Sequence, residues 1–145
     1  MILELVALLC TGLFAGAAIY VSLVEHPTRL ECGPALAIAE FGPSYRRGSV
    51  MQASLAVVGC LAAVAAWTQG SATSVLISGL LLGSAVPFTL IVILPTNKRL
   101  LDVRLDRGSP EAAALLARWG HLHAVRSVAS GVAFLLLGLH RSGML

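Results

Sequence analysis

Four hydrophobic windows, each of about twenty residues, recur along this chain and limit what it can fold into. They cover residues 5–24, 49–67, 75–94 and 119–139. A helix needs about twenty predominantly apolar residues to cross the hydrocarbon core of a bilayer. Only helices and closed barrels satisfy their own backbone hydrogen bonds in lipid. We therefore predict an all-α fold, in which residues 1–145 form one integral membrane four-helix bundle.

The composition supports a membrane protein and argues against several soluble classes. Hydrophobic residues make up 57% of the chain and charged residues only 12%, which is unusual for a soluble globular domain. The net charge of +3 is too small to indicate nucleic acid binding. Cys10, Cys32 and Cys60 form neither a metal-binding motif nor an even set for disulfides. We expect a lipid bilayer around the protein and no nucleic acid partner.

The connections between the windows differ in length and polarity. Residues 34–41 and 100–108 have patterns that predict short interfacial helices in the two long loops. Ser109 and Pro110 are typical of a helix start, so the last helix should run from Pro110 through Leu139. Pro87 predicts a kink in the third window. The second connection is short and uncharged, so the second and third helices should be antiparallel neighbours.

Basic residues are concentrated in the loops after the first and third windows and at the helix ends that border them. That side has Arg29, Arg46, Arg47, Lys98, Arg99, Arg104, Arg107, Arg118 and Arg126, and the other side has only Arg141. The positive-inside rule places residues of this kind in the cytoplasm. We therefore predict an inner or plasma membrane protein with both long loops cytoplasmic and both termini outside.

The polar stretch at residues 119–126 precedes the last apolar run and is the main site candidate. The run after Arg126 has thirteen residues, which span roughly 20 Å of helix against roughly 30 Å of hydrocarbon. Part of the polar stretch should then lie within the membrane, where ionisable groups usually face a bundle interior or a wet cavity. Trp119, His123 and Arg126 share one helical face at i, i+4 and i+7, whereas His121 points elsewhere.

Up-down connectivity brings the ends of the first and third windows to the same membrane face as this stretch. The polar residues at those ends are Glu25, His26, Arg29 and Asn97. A guanidinium below the membrane surface costs roughly 2.5–3.5 kcal/mol on insertion scales, so Arg126 should have a partner from another helix. Glu25 is the best charged candidate, and Asn97 is the neutral alternative.

Four motifs, in order, resemble those of the anthrone oxygenase-like family of small membrane proteins. They are Glu25-His26-Pro27-x-Arg29, Pro87-Phe88-Thr89, Pro95-Thr96-Asn97 and Trp119-x-x-x-His123-x-x-Arg126. The resemblance covers nearly the whole chain, and the last motif is the most specific. It implies four membrane spans and an activity like that of the characterised fungal members, which oxidise polyketide anthrones. The resemblance gives matching positions at His26, Asn97, Trp119, His123 and Arg126, whereas His121 does not match.

The same residue types suit oxidation of a small apolar aromatic compound, anthrone- or quinol-like. A neutral histidine, His123 or His26, would remove an activated C–H proton. Arg126 would stabilise the resulting enolate oxygen, and the Asn97 amide would add a hydrogen bond. A pocket within the bilayer would also recruit a flat apolar substrate and dioxygen. We assign substrate binding to Trp119, Glu25 and Arg29.

Other interpretations of these residues stay open from the sequence. Glu25, His26 and His123 have the ligand types of a non-haem iron or copper site, without the usual ligand spacing. Alternatively, Glu25–Arg29 and His123–Asn97 pairs would fix helix register in a non-catalytic binding module or assembly partner. A transporter is disfavoured because the four short windows show no internal repeat. The sequence leaves the cofactor, the substrate and the oligomeric state undetermined.

Overall fold

The computed structural model describes residues 1–145, and all its regular elements are helical. The main helices are α1, Ile2–Glu31; α2, Pro34–Thr68; α3, Thr73–Leu100; and α4, Pro110–Arg141. Each is long and apolar enough to cross a membrane. The protein is therefore an all-α integral membrane protein, as predicted. Each helix is longer than the hydrophobic window within it.

The helices form a square in cross-section. α1 packs against α2 and α4, and α3 packs against the same two helices, so α1 and α3 are diagonally opposite. We call the end with both termini and the turn at residues 69–72 the far end. The opposite end, with the connections at residues 32–33 and 101–109, is the loop end.

Small residues bring α2 and α3 together in the half of the bundle nearer the far end. A Cβ atom added at Gly79 would lie 2.3 Å from Ala63 Cβ, and one at Gly83 would lie 2.7 Å from Cys60 Sγ. Lipid tails are as apolar as leucine, so close packing rather than a hydrophobic driving force holds membrane helices together. The α2–α3 contact therefore depends on two glycines that are one helical turn apart.

A polar cluster joins three elements at the far end. Glu4, in the first turn of α1, accepts hydrogen bonds from Ser71 Oγ at 2.7 Å and Arg141 Nη1 at 3.0 Å. His140 Nε2 lies 3.8 Å from the same carboxylate. Ser71 belongs to the α2–α3 turn, and the two basic residues belong to the last turn of α4. The far end is therefore held by side-chain contacts as well as by packing.

The long loops contain less separate helix than the sequence predicts. Residues 34–41 are helical, but they form the first part of the continuous helix α2. Residues 101–109 form turns instead of the predicted surface helix. The Asp102 carboxylate there accepts a hydrogen bond from the Arg104 backbone N–H at 2.9 Å, and such local bonds compete with helix formation. The side chain and backbone of Arg104 also hold the pKa of Asp102 below its usual value.

α1 and α3 each contain a π-helical turn at the same place relative to a proline. These turns are Val21–Glu25 and Thr89–Ile93, and each is followed by one residue and then a Pro-Thr pair. Proline has no N–H to donate, so the preceding carbonyl groups must find partners in another register. In α3, Pro87 and a turn at Ser84 add a bend just before the π-helical turn. The matched turns are a feature shared by the two hairpins, α1–α2 and α3–α4, and we call this correspondence the internal repeat.

Candidate functional site

A cavity of about 180 Å³ lies inside the bundle toward the loop end, and all four helices line it. Most small-molecule pockets are larger, at roughly 300–1,000 Å³. The cavity contains six of the seven predicted site residues; His26 is the exception. Its wall joins apolar and aromatic side chains to polar groups that converge from different helices. The polar lining consists of Glu25, Arg29, Ser44, Ser49, Gln52, Thr89, Asn97, His123 and Arg126.

α4 contributes the face that the residue spacing predicts. Ser109 caps its first turn, as expected. Trp119 and His123 are 7% and 3% exposed, and both line the cavity together with Arg126. Their rings stack with centroids 4.8 Å apart. His121 is exposed on another side of the helix.

A chain of hydrogen bonds joins His123 to α1. Ser127 Oγ lies 2.9 Å from the Ala18 carbonyl oxygen and 2.8 Å from Ser22 Oγ, and either serine can donate in the second bond. When Ser127 donates to Ala18 and Ser22 donates to Ser127, Ser22 accepts from His123 Nδ1, 3.0 Å away. The tautomer assigned from this network has its proton on Nδ1. Nε2 is then an unprotonated acceptor.

Arg126 has its partner on α2. Its Nη2 donates to Gln52 Oε1 at 2.5 Å, and its guanidinium carbon lies 5.3 Å from the centre of the Phe14 ring. The prediction of Glu25 as the partner is wrong, because that carboxylate pairs with Arg29 one turn along α1. The sequence does not indicate Gln52, because a single amide near the start of a hydrophobic window belongs to no motif.

Glu25 and Arg29 belong to an ion cluster at the loop end of the cavity. Arg29 pairs with Glu25 and, through Nε, with Glu40 Oε2 at 2.5 Å. Ser44 Oγ also donates to Glu25 at 2.9 Å. The Arg29 guanidinium carbon lies 5.7 Å from the Trp119 ring centre, a favourable cation–π arrangement. The i, i+4 spacing indicates the Glu25–Arg29 pair, but no sequence signal indicates the two partners from α2.

His26 lies between α1 and α4, outside the cavity. Its ring centroid is 5.1 Å from that of Trp119. A Cβ atom at Gly120 would lie only 2.5 Å from His26 Nε2, so this glycine makes the space that the imidazole occupies. His26 is 6% exposed and therefore packs in the protein interior. In this position it supports Trp119 and does not contact the cavity.

Asn97 is buried at 1% exposure and lines the cavity from α3. Neither its Nδ2 nor its Oδ1 has a hydrogen-bond partner in the protein. The predicted His123–Asn97 pair is therefore absent. A buried amide left unsatisfied typically costs about 1–3 kcal/mol. Asn97 is consequently available to a water molecule or a ligand in the cavity.

The three donors of the metal hypothesis do not converge. Glu25 is paired with Arg29, His26 is outside the cavity, and His123 is bonded to Ser22. No group of three or more His, Cys, Asp or Glu side chains is arranged to hold a metal ion. The residues present therefore do not fit a site with two imidazoles and this carboxylate.

Comparison with known proteins gives two matches that agree. The family profile described as anthrone oxygenase matches residues 41–136, which include Gln52, Asn97, Trp119, His123 and Arg126. The anthrone oxygenase tpcL of Aspergillus fumigatus is 34% identical over 129 residues, covering 81% of this chain and 80% of the relative. No solved structure matches the chain significantly.

Proposed function

Because this chain belongs to the anthrone oxygenase family, we propose that it is a membrane-embedded oxygenase acting on a small anthrone- or quinol-like aromatic compound. The reaction would take place in the cavity at the loop end. Family membership supports an oxygenase-like activity, and the cavity supports the class of substrate.

One observation carries the proposal: an aromatic-walled cavity contains an acceptor nitrogen, a guanidinium and an unsatisfied amide. Phe14, Phe41 and Trp119 supply flat apolar surface. His123 Nε2, Arg126 and Asn97 supply the polar chemistry. A few polar groups converging in an apolar pocket are typical of small-molecule sites.

In the proposed reaction, His123 acts as the general base. Its Nδ1 proton is held by Ser22, so the Nε2 lone pair can accept the proton from the methylene carbon of an anthrone. Loss of this proton leaves an electron pair that is delocalised onto the ring carbonyl oxygen. Stabilising that developing oxyanion is usually the largest part of such catalysis. Arg126 would provide the charge, and Asn97 Nδ2 would add a hydrogen bond.

Dioxygen then oxidises the carbanion. The carbon forms a bond to one oxygen atom, and the adduct takes up a proton to become a hydroperoxide. Loss of the remaining C–H proton with cleavage of the O–O bond releases water and forms the second carbonyl group. An anthrone and one dioxygen thus give an anthraquinone and one water, with no external reductant.

The membrane orientation is a separate part of the proposal. Nine of the ten basic residues lie between the middle of the bundle and the loop end, and only Arg141 lies at the far end, so we place the cavity on the cytoplasmic side. A phosphatase reporter fused after Leu145 should be active outside the cytoplasm. A reporter active only inside the cytoplasm would reverse this assignment.

The function is tested by aerobic turnover of anthrone with the purified protein in lipid vesicles. We expect dioxygen uptake and anthraquinone formation in equal amounts. His123→Ala should lower the rate by about 10²–10⁴-fold because it removes the base. The matched control is His121→Ala, which changes an exposed histidine on the same helix and should keep at least half of the activity.

A non-catalytic binding or assembly protein gives a different result. The wild-type protein would then bind anthrone, or fail to bind it, without consuming dioxygen above the rate of empty vesicles. Equal losses from His121→Ala and His123→Ala would remove His123 as the base while leaving the oxygenase class intact.

A further inference from the structure

The internal repeat relates residues that line the cavity in pairs. Ser22 and Leu90 each lie five positions before the proline that follows a π-helical turn. On the second helix of each hairpin, an aromatic residue and a polar residue seven positions later both line the cavity: Tyr45 with Gln52, and Trp119 with Arg126. The hydrogen bond between Gln52 and Arg126 joins these equivalent positions across the bundle.

Because α1 corresponds to α3 and α2 corresponds to α4 in the internal repeat, the α1–α4 interface corresponds to the α2–α3 interface. The position after each polar residue is Ser127 in α4 and Ala53 in α2. At the α1–α4 interface, Ser22 and Ser127 are hydrogen-bonded at 2.8 Å. At the α2–α3 interface, the equivalent residues are Leu90 and Ala53, which cannot form such a bond. The α1–α4 interface is therefore joined by a hydrogen bond between two hydroxyl groups. At the same height in the bundle, Leu90 and Ala53 form no such bond across the α2–α3 interface.

The cavity reaches the protein surface at that place. Ala53 and Leu90 both line it, and both are exposed, Leu90 by 58%. The other lining residues are buried or half-buried. α2 packs closely along the first part of α3 up to Gly83, but has few contacts with α3 beyond Ala85. The bend at Pro87 and the π-helical turn after it separate the two helices here.

We propose that the gap between α2 and α3 at Ala53 and Leu90 is the opening through which an apolar, planar aromatic substrate passes between the bilayer and the cavity. The inference deepens the proposed function and rests on it for the identity of the substrate. The gap faces lipid because it lies on the side of two membrane-crossing helices, and its rim consists of uncharged side chains. At the loop end, by contrast, the cavity is lined by the charged side chains of Glu25 and Arg29, which pair with each other.

The small volume of the cavity supports movement at this gap. At about 180 Å³ it is below the range of most small-molecule pockets. Neither hydrogen bonds nor close glycine contacts hold α2 to α3 beside Leu90, so these helices can part there without losing a specific contact. The α1–α4 interface would have to break the hydrogen-bond chain of His123, Ser22 and Ser127 to open in the same way.

Two probes, a quencher and a substrate, test the opening in lipid vesicles. In a Trp67→Phe background, Trp119 is the only tryptophan and reports on the cavity. A bilayer-dissolved nitroxide quencher tests access without using the substrate, and stopped-flow mixing with anthrone tests substrate binding. The rim variant is Ala53→Phe with Leu90→Phe. Its matched control is Ser54→Phe with Ile91→Phe, which places the same side chains at adjacent exposed positions that do not line the cavity.

We expect the rim variant to slow both quenching of Trp119 and association of anthrone by roughly tenfold, because access now requires a larger helix movement. The control variant should keep wild-type rates. Helical circular dichroism checks folding, and Ala53→Leu alone gives a smaller obstruction if the double variant does not fold.

The outcomes separate the two proposals. If quenching in the rim variant equals that in the control, the opening is not between α2 and α3, even when anthrone is still oxidised. If the rim variant protects Trp119 but the wild-type protein neither binds nor oxidises anthrone, the opening stands and the proposed substrate fails.

Discussion

The α1–α4 and α2–α3 interfaces occupy equivalent places in a repeated hairpin, and they differ in how they are held beside the cavity. Polar side chains close the first: Ser22, His123 and Ser127 are hydrogen-bonded to each other. Apolar side chains, Ala53 and Leu90, border the second. In lipid an apolar contact between helices gains little over an apolar contact with acyl chains. Under the proposed opening, the hydrogen bonds keep the α1–α4 interface shut, and the same bonds orient the proposed base.

The largest predicted effect on stability tests the close packing of the α1–α4 interface. Gly120→Ala would place a Cβ atom 2.5 Å from His26 Nε2, and the imidazole is confined against Trp119. Overpacking of this kind typically costs about 1–3 kcal/mol. The measurement is SDS-induced unfolding in mixed micelles.

The matched control is Gly48→Ala on α2, where an added Cβ atom has no neighbour within 4 Å. This change should leave stability unaltered or raise it by up to about 1 kcal/mol, since alanine favours helix. A similar loss from both glycine substitutions would mean that the contact with His26 is not the cause of the loss at Gly120.

An intermediate effect is expected for the contact that crosses the bundle between them. Gln52→Leu removes the acceptor of Arg126 Nη2. A double-mutant cycle with Arg126→Gln should give a coupling of about 0.5–3 kcal/mol. A second cycle, Glu25→Gln with Arg126→Gln, serves as the control and should be close to additive, because Glu25 is paired with Arg29. Strong coupling in the second cycle would restore Glu25 as the partner.

The smallest effect concerns one hydroxyl group. Ser127→Ala removes the acceptor of Ser22 and should cost about 0.6 kcal/mol, the average for side-chain hydrogen bonds between membrane helices. The turnover rate should fall by more than this loss of stability accounts for. The reason is that Ser22, without its bond to Ser127, no longer holds the proton on His123 Nδ1 in one position. Ser54→Ala removes an exposed hydroxyl that bonds only within its own helix and is the control. Equal turnover in the two variants would separate the serine chain from catalysis.

The fold was predictable because the length of an apolar window depends only on local sequence. The four helices and the shared face of Trp119 and His123 follow from period and length alone. The loop at residues 101–109 was not predictable in this way, because Asp102 stabilises a turn that a charge pattern does not distinguish from a helix. Continuity of α2 through residues 34–41 was likewise missed, since the polar stretch that follows it contains a proline.

The site was predictable only in part, because a motif does not give the direction of each side chain around its helix. His26 and His123 have similar motif support, but only His123 reaches the cavity. Glu25 and His26 are adjacent, so their side chains differ in direction by about 100° and only Glu25 lines the cavity. The motif contains both residues and does not show which one faces inward. Gln52 was missed for another reason: its importance arises from a partner on a distant helix.

The Glu4 cluster at the far end has a mechanical consequence. With α1, the α2–α3 turn and α4 clamped there, and with Gly79 and Gly83 pressed against α2, the third helix cannot slide away as a whole. If α3 moves at the proposed opening, the part beyond Gly83 therefore swings away from α2. Leu90 is seven residues beyond Gly83, roughly 10 Å along the helix, so a swing of about 20° would move it by roughly 3–4 Å. The Glu4 cluster thereby limits the proposed opening to the part of α3 beyond Gly83.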